Sequence, residues 1–172
     1  MSDIAHGSIK KFIILYVLYM LLAFMLIEYE SVKNFLNLDA LYTGSVVWLS
    51  THLIALLGIN VSAEGAFLHL NSAVMEVKFG CNGLEAILLY CAAVLAFPAS
   101  WRARLIGIVI GSTLLQLFNL LRIALLAWVL EYHRSIFDVM HEYITQSIMI
   151  VIAFVVFLIY LQYVTDEKAL PQ

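Results

Sequence analysis

Phe12–Ile27 runs without a charged residue, and the stretches near 40–58, 82–97, 105–130 and 142–163 are almost as clean. Apolar runs of about 18 residues or more are what a helix needs to cross the hydrocarbon core of a bilayer. The whole chain has the same bias: 64% of its 172 residues are hydrophobic and 12% are charged, where soluble proteins carry about a quarter charged. The pattern predicts one all-α polytopic membrane domain spanning 1–172, with about five transmembrane helices at about 11–28, 40–58, 82–97, 105–130 and 142–163. Lys10-Lys11 before the first apolar run resembles a secretory leader. No small-x-small cleavage pattern follows before Glu28, so the segment reads as an uncleaved span. A net charge of −3 argues against nucleic acid as a partner.

Between the spans the punctuation is specific. A polar loop covers 29–39, Asp39 can cap the second helix, and Gly58 and Asn60 end it. Met75, Val77 and Phe79 alternate with Glu76 and Lys78, after Phe67–Leu70 and a polar Asn71-Ser72 break. That period of two predicts a short β-hairpin outside the bilayer before the third helix. Pro98 ends that helix, Trp101–Arg104 reads as a basic aromatic interfacial turn, and 131–141 reads as a polar loop.

The hairpin leads into Lys78-Phe79-Gly80-Cys81-Asn82-Gly83-Leu84-Glu85. Asn82 with Glu85 three residues on has the spacing of a capping box. Cys81 is then expected beside a helix N-terminus, where a thiol pKa falls. Cys91, ten residues further along the same helix and about 15 Å away along its axis, is too far for a disulfide and reads as core packing.

If five helices alternate sides, the N-terminus, the 59–81 segment and the 131–141 loop share one face. Arg122, seventeen residues into the fourth helix, climbs about 25 Å toward that face and approaches Cys81 and His141. Asn119 lies three residues earlier on the same helix face, and Gln116 one turn further back. An arginine inside a span is costly unless it is paired or hydrated, which makes it a functional candidate; the plainer reading is a snorkelling side chain. The plainer readings of Cys81 and His141 are a small hydrophobe and a helix-end residue. His52, His69 and His133 show no metal-ligand spacing, so neither a metal nor a cofactor is expected. Alternation leaves four basic residues on each face, a tie under the positive-inside rule. The Arg102-x-Arg104 turn favours its own side as cytoplasmic, and Lys10-Lys11 pulls the other way.

Cys81-Asn82-Gly83-Leu84, then Asn119-Leu120-Leu121-Arg122-Ile123, then His141 after Phe137, resemble the exosortase/archaeosortase family over roughly 60–160, in the compact form of the exosortase H type. The resemblance implies a membrane enzyme with Cys81 as nucleophile, Arg122 and His141 as its partners, and Asn119 and Asn82 as orienting or substrate-binding residues. Its implied substrates are exported proteins with C-terminal sorting tails of the PEP-CTERM kind: a short motif, a membrane helix and a basic cluster. It also implies residence in the bacterial inner membrane with Cys81 facing outward, the bilayer as surroundings, and an acceptor nucleophile that the sequence does not identify. Family members often carry His-x-x-x-Gly, whereas Thr145 holds the glycine position here; His133 and Arg134 are the alternatives for the third member.

The chemistry implied is thioester formation at Cys81, with His141 shuttling the proton and Arg122 stabilising negative charge. Two other readings compete with transpeptidation. One is a membrane cysteine protease using the same residues; the other is a non-catalytic transporter or haem-bearing subunit. The second lacks internal repeats and facing histidines.

Overall fold

The computed structural model describes residues 2–28, 38–78 and 80–169. Most of the expected 29–39 loop and Phe79 of the expected alternation lie outside them. Five long helices form: α1 (Ser2–Glu28), α2 (Leu38–Leu56), α3 (Leu84–Ala96), α4 (Trp101–Tyr132) and α5 (Thr145–Ala169). Three segments, Ile9–Leu26, Trp101–Tyr132 and Arg134–Asp166, are long and apolar enough to cross a membrane; the apolar parts of α2 and α3 are shorter. Ile150, Val151 and Phe154 on α5 are at least 60% exposed, the surface expected of a helix solvated by lipid.

Several boundaries differ from the sequence reading. Trp101–Arg104 is the first turn of α4 rather than a loop, because Ser100 accepts a hydrogen bond from the Ala103 amide at 3.2 Å and caps the helix. Asp39, expected as a cap, is already helical. The 131–141 segment is largely helical: a 3₁₀ turn (Arg134–Ile136), a short α turn (Phe137–Val139) and a π turn (Met140–Ile144) lead into α5. The expected hairpin is a three-stranded antiparallel sheet of β1 (Ser62–Glu64), β2 (Phe67–His69) and β3 (Val74–Glu76). Leu68 faces Met75 across β2 and β3, and both are buried, whereas Phe67 and Val74 are exposed. The period of two was therefore a sound guide to the inner face.

Helix α4 carries two cores. Leu120–Leu130 packs with Val46, Val47 and Ile54 of α2 and with Leu68, Met75 and Val77 of the sheet segment. Ala103 and Leu115 pack with Tyr90 and Val94 of α3 and with Val156, Tyr160 and Val164 of α5. The close α3–α4 approach depends on Gly111, against which the Tyr90 ring lies, while the Tyr90 hydroxyl donates to Gly107 O at 2.9 Å. Arg122 stands within the Leu120–Leu130 stretch of α4, and Cys81 lies between the sheet and α3.

The first helix does not follow the expected alternation. Phe12, in its N-terminal half, contacts Phe97 edge-on at 6.4 Å and Phe157 in a stack at 6.3 Å. Phe97 caps the end of α3 far from Cys81, and Phe157 lies midway along α5, about 18 Å along the axis from Thr145. The N-terminal end of α1 thus shares a side with Ser100 and Arg102, opposite Cys81. Counting fails because α2 is not an equal partner in the lower bundle. It starts beside Gln116, to which the Tyr42 hydroxyl donates at 2.7 Å, and packs on the outer half of α4 with the sheet.

Candidate active site

The sheet delivers the chain to a tight turn. Cys81 N and Asn82 N both donate to Lys78 O, at 2.8 and 3.0 Å. The N-cap of α3 is Gly83, not Asn82, and Glu85 makes no capping bond. Asn82 instead ties the turn down: its Oδ1 accepts from Leu84 N at 3.1 Å, and its Nδ2 donates to Thr43 Oγ1 of α2 at 3.2 Å. Gly83 has φ of +85°, and a Cβ there would lie 2.8 Å from Asn119 Nδ2 and 2.9 Å from Gln116 Oε1. A glycine is needed on both counts, conformation and space.

Three elements converge on the sulfur. Cys81 Sγ is 2.9 Å from His141 Nε2, and Arg122 Nη2 is 4.0 Å from the same sulfur. His141 sits in the π turn, a local widening of the helix that recurs at functional sites, and its ring stacks on Phe137 with centroids 5.6 Å apart. Arg122 is 8% exposed and donates to Gly80 O at 3.4 Å and, through Nε, to Thr145 Oγ1 at 3.1 Å. Among the described residues no carboxylate pairs with it. A buried guanidinium held by neutral acceptors favours an anion beside it, whether thiolate or oxyanion.

The expectation of a depressed thiol pKa does not hold. Burial pushes the Cys81 thiol up, and the nearby Arg122 and Lys78 charges pull it back only in part. The thiol is packed among protein atoms, so loss of hydration outweighs the positive neighbours. With Cys81 N and Asn82 N engaged by Lys78 O, Arg122 is the evident donor for negative charge developing near the sulfur.

Of the residues expected from sequence, Cys81, Arg122 and His141 meet in one place, and Asn82 anchors the turn. Asn119 is fully buried and lies against Gly83, without a hydrogen bond to Arg122 among the described residues. His133 caps the end of α4 beside Trp128, and Arg134 opens the 3₁₀ turn; neither contacts the sulfur. Sequence reasoning missed the role of Thr145, which is 2% exposed and links the Arg122 side chain to the His141 carbonyl, its hydroxyl donating there at 3.3 Å. Its signal was present as the polar residue standing in the motif's glycine position. A cavity of about 300 Å³ opens over the sulfur, rimmed by Glu76, Lys78, Glu142 and Gln146.

The model of the family described as transmembrane exosortase (Exosortase_EpsH) matches residues 8–160. The chain belongs to the transmembrane exosortase family. No curated protein and no solved structure matches it. Membership makes it an integral membrane protein of a sortase-like processing family acting on protein substrates. The match takes in Cys81, Asn82, Asn119, Arg122 and His141 and extends back through α1, beyond the region that carries the sequence motifs of the exosortase resemblance.

Proposed function

We propose that this exosortase is a cysteine transpeptidase that removes C-terminal sorting tails from exported proteins. The observation that carries the reading is the 2.9 Å approach of Cys81 Sγ and His141 Nε2 beside a buried guanidinium that has no carboxylate partner among the described residues. His141 takes the thiol proton as sulfur attacks the scissile carbonyl, and the C–S bond forms. Arg122 stabilises the oxyanion of the tetrahedral intermediate. Collapse breaks the C–N bond, His141 returns the proton to the departing amine of the tail, and a thioester remains on Cys81. An acceptor nucleophile then attacks the thioester, loses its proton to His141 and restores the thiol.

Charge distribution supports an outward-facing site. Lys10, Lys11, Arg102, Arg104 and Lys168 fall at the end of the bundle opposite Cys81, whereas Lys78 and Arg134 fall at the Cys81 end. The tie found by simple alternation becomes five against two, with Lys33 outside the described residues. Under the positive-inside rule the five-residue end is cytoplasmic, and Cys81 faces the outer side of the cytoplasmic membrane.

Hydrolysis at the same site is the second reading, favoured by the charged rim of Glu76, Lys78 and Glu142, which admits water to the sulfur. Co-expression with a tail-bearing protein from the same genome, followed by intact-mass measurement, separates the readings. A product heavier than the free acid at the new C-terminus supports transfer. A free carboxylate supports hydrolysis, and an uncut tail rejects both.

A further inference from the structure

Beside the cavity over Cys81 lies a second one, of about 360 Å³, between α1 and α5 with α3 as its floor. The two share Gly80, Arg122 and Gln146, so the groove begins at the reacting centre. It runs from Gln146 to Phe157 along α5, about 16 Å at helical rise, and the Phe12–Phe157 stack stands at its far end. Its side is open toward lipid, since the lining residues Ile150 and Phe154 are 63% and 60% exposed.

We propose that this groove receives the apolar residues of the substrate immediately C-terminal to the scissile bond; this rests on the tail-processing reading above. Continuity with the Cys81 cavity means that a chain whose carbonyl lies at the sulfur continues directly into the groove. Direction agrees as well, because the groove descends from the Cys81 end toward the end bearing Lys10 and Arg102, as a motif followed by a membrane helix must. Glu85 lines the groove near Gly80, and its side chain has no hydrogen-bond or ion-pair partner among the described residues. A half-buried carboxylate there accepts the N–H groups that a peptide offers on leaving the active site, and repels the phosphate of a lipid headgroup. About 16 Å accommodates roughly five extended residues or three helical turns. The occupant is therefore the start of the tail, not the whole membrane helix.

Neighbouring positions on α5 provide the test. Ile150 lines the groove and Val151 does not, although Val151 is 60% exposed. In full-length enzyme carrying Cys81→Ala and Cys91→Ala, Ile150→Cys or Val151→Cys is paired with substrates bearing single cysteines along the tail. Oxidative cross-linking should join Ile150→Cys to the first few apolar positions at least fivefold more than Val151→Cys. Equal or absent cross-linking overturns the proposal. In active enzyme, Ala86→Phe fills the groove wall. Tail removal should fall at least tenfold while Cys81 alkylation by iodoacetamide keeps its rate. If tail removal persists and only acceptor transfer is lost, the groove holds the acceptor and the proposal fails. If the parent enzyme with Cys81 intact leaves the tail uncut, the failure is that of the tail-processing reading itself.

Discussion

Cys81 and His141 are 60 positions apart, yet their Sγ and Nε2 atoms lie within 2.9 Å. The turn before α3 supplies one and the π turn before α5 the other, so the pair exists only when both helices are seated on α4. General acid–base catalysis contributes about 10²–10⁴-fold. His141→Gln should therefore lower kcat for tail removal by about that factor, with the fold unchanged by circular dichroism. Retained activity would remove His141 from the proton path.

Burial raises the Cys81 thiol, and Arg122 is the first of the two charges that oppose the rise. Reactivity toward iodoacetamide should accordingly climb with pH and reach half-maximum above the ordinary thiol range. Arg122→Gln takes away a positive neighbour, so the thiolate loses stabilisation and the midpoint moves further upward. A midpoint that falls, or does not move, would contradict the assigned electrostatics. The measurement is the alkylation rate at Cys81 across pH, followed by mass spectrometry.

Thr145 holds Arg122 through Nε and reaches back to the His141 carbonyl. Hydrogen bonds to charged groups are worth about 1.5–3 kcal/mol. Thr145→Val, which keeps shape but loses the hydroxyl, should lower kcat by about 10–100-fold and leave KM nearly unchanged. Thr145→Ser should recover most of the loss. Equal losses for both variants would point to packing rather than to the hydroxyl.

Much of this was legible in the sequence because hydrophobic length and period carry direct physical meaning. Phe12–Ile27 could be little else than a membrane helix, and the alternation around Met75 marked the buried strand face. Cys81, Arg122 and His141 were legible as a set because rise per residue fixes how far Arg122 climbs along α4. Orientation of α1 was not, since parity counting assumes that every apolar helix crosses the same slab. Nothing local announces that α2 packs on the outer half of α4. The cap was misread because Asn82 and Glu85 have capping-box spacing, while the positive φ of Gly83 takes the N-cap position and leaves Asn82 to bind Thr43. Thiol pKa was misjudged because a helix N-terminus is visible in sequence and burial is not.

Gly83 and Asn119 form a steric pair. Gly83→Ala places a methyl group against the Asn119 amide at a φ that side chains disfavour, a strain of about 1–3 kcal/mol. The variant should unfold at lower temperature in detergent and process substrate more slowly. Adding Asn119→Ala should return part of the stability, because it removes the Asn119 overlap but neither the Gln116 overlap nor the backbone strain. If the double variant is no more stable than Gly83→Ala, the contact is not the cause.

The central claim is that Cys81 carries the acyl group, and capture of that intermediate tests it most directly. Purified enzyme is mixed with a tail-bearing substrate, quenched in acid, digested and analysed by mass spectrometry. The account predicts the substrate's upstream fragment on the peptide containing Cys81, released by hydroxylamine as expected for a thioester and absent from Cys81→Ala, which also leaves the tail uncut. Tail removal by Cys81→Ala at the wild-type rate would contradict it.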